Sequence, residues 1–136
     1  MPDLHPQPLD DLRAVLPTQV VVHRDPLDRI TVVQVSGELR LPSAARLEAA
    51  LCAAVCRPDE RLLIDLSGCL LIDSIAIGSV LRARRALDRD TASGPAMVLV
   101  ANRPQILRAL GLTGIDRMVP TLGERHRALD LLLRFP

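Results

Sequence analysis

The residues able to do chemistry are few. Asp65 and Asp73 flank the loop expected between a strand and a helix. Two carboxylates at the carboxyl end of a strand can hold magnesium or act as an acid–base pair. Each also has a local use: Asp65 can accept hydrogen bonds from loop amides, and Asp73 can sit at a helix N-terminus, where the dipole favours negative charge. Cys52 and Cys56 lie four apart, which puts both thiols on one side of a helix, but two thiolates fall short of the four ligands of structural zinc. An interchain contact and incidental thiols are the readings left for them, so a homodimer is among the expected assemblies. With Cys69 the thiols number three, which cannot form a disulfide framework. His5, His23 and His126 are scattered, and nothing in the sequence places a nucleophile beside any of them. No phosphate loop, GxGxxG, HExxH or GxSxG occurs. All 17 basic residues are arginine, so lysine chemistry is excluded. An enzyme built on Asp65 and Asp73 therefore ranks last, and neither a metal nor a cofactor is expected.

The strongest pattern lies in the helix that Asp73 or Ser74 opens, expected to run to about residue 90. At 100° per residue, Ala76, Ile77, Val80, Ala83 and Leu87 cluster on one side. The opposite side collects Ile75, Gly78, Ser79, Arg82, Arg85, Ala86 and Arg89. Ile75 is thus an apolar side chain at the exposed start of a helix, with Gly78 beside it allowing close approach of another backbone. Two readings stand level: an ordinary solvated face with one stray isoleucine, or a protein-docking face with an apolar anchor and a basic rim.

The elements that must hold this helix follow from periodicity. Residues 20–23 form a short β-branched run, and ITVVQVS (30–36) is a clearer strand ending at Gly37. Residues 24–28, with Pro26, fit a hairpin between them. Ser43 caps a helix to about Cys56, with Leu47, Leu51, Ala54 and Val55 as its inward stripe. RLLIDL (61–66) reads as a strand bounded by Ser67-Gly68, and AMVLVA (96–101) as another. Residues 104–110 make a short helix with Gly111 just past its end. Residues 119–122 suggest a last strand, and 124–135 a closing amphipathic helix. Strands linked through helices imply parallel neighbours and right-handed crossovers. The opening hairpin makes the sheet mixed, in a compact α/β domain.

Composition bounds the rest. The chain has 136 residues, enough for one domain, with 49% hydrophobic and 24% charged residues, the mix of a globular protein. Its longest apolar run, residues 49–56, is far short of a membrane span. No signal segment opens it, so a cytoplasmic location is the default expectation. The net charge of +1 gives no field that would draw nucleic acid, and Phe135 alone offers no platform for stacked bases. Residues 1–16, with Pro2, Pro6 and Pro8, read as a flexible arm, and residues 17–136 as the folded domain.

Three segments together resemble the STAS domain of bacterial anti-sigma factor antagonists. LLIDLSGCLLIDSIAIGSVLRARR (62–85) is similar to the family's signature segment, Gly37-Glu38-Leu39 to its GELD motif, and LRALGLTGIDRMVP (107–120) to its third-helix signature. The resemblance covers roughly residues 18–133. It implies a mixed β-sheet of four to five strands with helices mainly on one face. It also implies a non-enzymatic module that binds an anti-sigma factor or histidine-kinase-like ATPase domain. In that family the kinase phosphorylates a serine at the start of the second helix and so breaks the complex. A phosphate there adds roughly −1.5 to −2 charges at the interface while the helix N-terminus tolerates it.

The sequence departs from the pattern at the switch. The family's Asp-Ser-Ser-Gly-Leu-Gly is here Asp73-Ser74-Ile75-Ala76-Ile77-Gly78, so the phosphoacceptor position is Ile75. The acidic residue closing GELD is Arg40. Ser74 is the only hydroxyl left in the motif, with an N-cap as its expected use. The leading expectation is an antagonist-type module with its phosphoswitch lost or altered, docking through Asp73, Ser74, Ile75, Gly78, Arg82, Arg85 and Arg40. The alternative is a STAS sensor binding a nucleotide or lipid near the carboxyl ends of the strands.

Overall fold

The computed structural model describes residues 18–87 and 94–133. The expected arm at residues 1–16, the stretch of helix toward residue 90 with Arg89, and Phe135 lie outside the described residues.

The β-branched run QVVVHRD forms β1 (Gln19–Asp25) and ITVVQVSGEL forms β2 (Ile30–Leu39). They make the expected hairpin, antiparallel with Asp25 opposite Ile30. The Asp25 carboxylate accepts the N–H groups of Leu27 and Asp28 at 3.0 and 3.2 Å, which closes the turn. Next come α1 (Ser43–Val55), β3 (Arg61–Ile72), α2 (Ser74–Ala86) and β4 (Met97–Val100). The chain closes with α3 (Pro104–Thr113), α4 (Ile115–Met118), β5 (Thr121–Leu122) and α5 (Arg125–Leu133). The five strands lie in the order β1-β2-β3-β4-β5, and all pairs but the first are parallel.

Glycines mark irregularities inside strands rather than their ends. Gly37 was expected to stop β2, yet the strand continues to Leu39; Gly37, at φ +93°, sits where the β2–β3 register shifts. Ser67-Gly68 likewise lies within β3, where the register also slips. A Cβ on Gly68 would stand 3.2 Å from the Val35 carbonyl oxygen, so the strands approach closely there. Gly111 does not end α3 either: that helix runs on to Thr113, and Gly114, at φ +79°, supplies the left-handed cap. The sequence pattern gave no sign of α4.

Ser43 is the first residue of α1 and not its cap, because Pro42 holds the cap position and offers no side-chain acceptor. The buried Ser43 hydroxyl instead accepts the Arg40 N–H at 3.2 Å and donates to the Arg40 carbonyl at 2.6 Å, which pins the turn after β2.

Two apolar layers flank the sheet. On one face α1 to α4 bring Leu47, Leu51, Val80, Ile106 and Ile115 against Val33, Ile64 and Leu99. On the other, α5 lays Ala128 and Leu132 over Leu63 and Val98. Fully buried leucines of this kind contribute roughly 1.5–3 kcal/mol each. Glu60, before β3, is fully buried, and both its oxygens accept from Arg24 at 2.9 Å, with the Thr31 hydroxyl donating at 2.5 Å. This pair ties the hairpin to the base of β3.

Candidate docking face

The start of α2 is fixed by Asp73, not Ser74. Asp73 is in extended backbone, and its carboxylate accepts the Ala76 N–H at 2.9 Å, the geometry of an N-cap. Its own N–H donates to the Leu39 carbonyl at 3.0 Å, so the end of β2 anchors the helix start. Ser74 is the first helical residue, is exposed, and its hydroxyl makes no hydrogen bond among the described residues; the expected cap role belongs to its neighbour.

Ile75 follows, 44% exposed. Leu71, at 40%, and Leu41, at 63%, are also exposed at the same end of the domain, where β2 and β3 finish. Ala76, Ile77, Val80, Ala83 and Leu87 are buried, as the wheel requires.

The outer face of α2 is not uniform, however. Ser79, expected to point outward, is 2% exposed, and its hydroxyl donates to the Glu48 carboxylate on α1. Arg82 donates to the same carboxylate at 2.7 and 3.3 Å. Arg82 and Ser79 hold the Glu48 carboxyl below its ordinary value against the opposing effect of burial. Gly78 serves this contact: the Arg82 guanidinium lies 3.3 Å from where its Cβ would be, so the open space is used by a side chain of the same helix. Arg85 is exposed and makes no ion pair among the described residues. The expected face thus divides. Ser74, Ile75 and Arg85 look outward, whereas Ser79 and Arg82 meet α1. A helix wheel counts one buried direction, but α2 has two neighbours, the sheet and α1.

Arg40 lies across the turn from this end, exposed and paired with Glu38. The GELD-like segment therefore contributes its own internal ion pair.

The carboxylate pair does not assemble. β3 runs on to Ile72, so strand and not loop separates Asp65 from Asp73, and ~3.3 Å per residue puts them roughly 25 Å apart. Asp65 is engaged structurally: it accepts from the Ser67 N–H at 2.9 Å, the Ser67 hydroxyl at 2.6 Å and Arg125 at 2.8 Å. Burial works against its charge, but the Ser67 and Arg125 contacts outweigh it and hold the carboxyl low. Among the described residues no group of three or more His, Cys, Asp and Glu side chains could hold a metal ion. Cys52 on α1 and Cys56 at its C-cap are both exposed, while Cys69 is buried and its thiol is pushed up to about 11, chiefly by burial. His23 is exposed on β1, and His126 faces Glu124 at 3.3 Å on the surface. Among the described residues no helix is long and apolar enough to cross a membrane.

Glu48 is the residue that sequence reasoning missed at this face. It lies 34 positions before Arg82, and only the packing of α1 on α2 brings them together.

Comparison with known proteins agrees with this architecture. A family model described as "Mlab, STAS domain" matches residues 23–120. No curated protein matches the sequence. An anti-sigma factor antagonist from Mycobacterium paratuberculosis superposes with a TM-score of 0.73 at 27% identity, covering 85% of this chain and 94% of that one. The antagonist SpoIIAA in its unphosphorylated form superposes at 0.65 and 17% identity, over 84% of this chain and 94% of that one. A putative anti-sigma factor antagonist from Thermotoga maritima gives 0.64 and 20%, over 87% and 94%. A match over residues 23–120, on a five-stranded sheet of this order, means that the chain belongs to the STAS domain family.

Proposed function

We propose that this domain is a non-enzymatic regulatory module of the anti-sigma factor antagonist type, acting in the cytoplasm and docking an anti-sigma factor or kinase-like ATPase domain without a serine phosphoswitch. The observation that carries the reading is Ile75, an exposed aliphatic side chain on the second residue of α2, where the family keeps its phosphoacceptor. Leu71 and Leu41 are exposed apolar side chains at the same end of the domain, Arg85 is an exposed cation on the same helix, and Arg40, paired with Glu38, stands at the end of β2. Asp73 holds the helix start rigid, so the anchor is pre-organised and little ordering entropy is lost on binding. Arg82 and Gly78 support the face from behind through Glu48 rather than meeting the partner directly.

Without a hydroxyl at position 75 the complex is constitutive, and release must come from the partner. The test is to mix the purified domain with a kinase-like anti-sigma domain from the same organism, then add ATP and magnesium. The expected result is a stable complex with no phosphate on the STAS domain by intact mass. Phosphorylation at Ser74 with loss of the complex would overturn it and make Ser74 a relocated switch.

A further inference from the structure

We propose that a second site, a cleft at the carboxyl ends of β2 and β3, binds a small phosphate-bearing anion, diphosphate in charge and size. The cleft has a volume of about 830 Å³, within the range of small-molecule sites, and is lined by the last residues of β2 together with Gly68 and Leu70 of β3. Arg40, Arg46 and Arg103 line it, and its only carboxylate, Glu38, pairs with Arg40. That leaves two guanidinium groups without a carboxylate among the described residues. Arg46 donates to the Thr18 carbonyl at 2.9 Å, and Arg103 to the Ser67 carbonyl at 3.3 Å. Each keeps further N–H donors for an anion. They come from different elements, α1 and the turn before α3, so the charge converges through the fold and not through sequence proximity. Ser36 lines the same cleft, and its hydroxyl has no partner among the described residues.

Two cationic forks and a hydroxyl suit phosphoryl oxygens, which arginine grips in bidentate fashion. No aromatic side chain lines the cleft, so a nucleobase would find nothing to stack on, and recognition falls on the phosphates. Leu41, Pro42 and Leu70 offer an apolar wall to whatever group the phosphates carry. The cleft shares Arg40 and Leu41 with the proposed docking face, but Ile75 and the two anion-binding arginines, Arg46 and Arg103, belong to one site each.

The test is calorimetric titration with inorganic pyrophosphate at pH 7 and fixed ionic strength, with thermal unfolding alongside. Saturable binding that raises the melting temperature is expected. Arg46→Gln and Arg103→Gln should each raise Kd at least about tenfold, while Arg108→Gln, outside the cleft, should not. In the wild type, the Nε–H resonances of Arg46 and Arg103 should shift on titration, which reads the site without any variant. Sedimentation with phosphatidic acid vesicles distinguishes the source: capture lost in both variants puts the phosphate on a lipid headgroup, whereas pyrophosphate binding without capture puts it on a soluble molecule. No saturable binding, or equal Kd in the wild type and both cleft variants, would overturn the site.

Discussion

Removing the cap of α2 separates the roles of two adjacent residues. Asp73 accepts the Ala76 N–H at 2.9 Å, whereas the Ser74 hydroxyl is exposed and makes no hydrogen bond among the described residues. Asp73→Ala deletes that acceptor, typically about 1 kcal/mol, and removes a negative charge from the positive end of the helix, a further ~0.3–1 kcal/mol. The sum is roughly 1–2 kcal/mol. For a domain of this size it lowers the melting temperature by about 3–6 °C per kcal/mol. Asp73→Asn keeps the acceptor and should lose only the charge contribution. Ser74→Ala should stay within about 0.5 kcal/mol of wild type, as surface changes usually do. Urea unfolding monitored by circular dichroism gives these differences, provided the m-values agree. A Ser74→Ala cost equal to or above that of Asp73→Ala would put the cap on Ser74 and refute the assignment.

The buried Glu60 sets a pH test. Burial pushes its carboxyl up, but the hydrogen bonds from Arg24 and Thr31 outweigh burial and hold it below its ordinary 4.5, so its contribution is present above that pH and fades as pH falls through the lower folded value. In Arg24→Met burial dominates, the carboxyl rises, and the deficit against wild type should grow between pH 4 and pH 7; urea midpoints showing equal deficits at both would contradict this. Gly37→Ala should cost roughly 1–3 kcal/mol, since φ is +93° and the new Cβ would meet the Thr18 Cα at 3.0 Å; an unchanged thermal midpoint would show that the bulge relaxes freely.

Most elements of the sheet could be read from β-branched runs and their boundaries, because strands buried on both faces leave unbroken aliphatic stretches such as MVLV. Three misplaced element ends share one cause. Gly37, Ser67-Gly68 and Gly111 look like terminators, and each sits inside an element whose neighbours keep it going. Glycine's local preference is weak beside a ladder of inter-strand hydrogen bonds or a helix packed on a core. At the proposed docking face, the exposed Ile75 and the buried stripe followed from helical spacing alone, while the Glu48–Arg82–Ser79 cluster did not. It depends on which side of α2 faces α1, and no local pattern encodes that. The cleft arginines, Arg46 and Arg103, were invisible for the same reason: they lie 57 positions apart in the chain, and only the fold brings them to one cleft.

The central claim, that Ile75 anchors a protein complex, is tested most directly by the affinity of Ile75→Asp for the purified kinase-like anti-sigma domain. Ile75 is already partly covered at 44% exposure, so burying the remainder is worth about 1 kcal/mol of the roughly 1.5–3 kcal/mol for a whole aliphatic side chain. Placing a carboxylate in the contact adds at least another ~1 kcal/mol of desolvation. The expected result is a Kd at least about thirtyfold weaker, with the unfolding midpoint nearly unchanged, because an acidic residue in the first turn suits the helix dipole. Wild-type affinity in a folded Ile75→Asp domain would contradict the account and leave Ile75 a bystander on the surface.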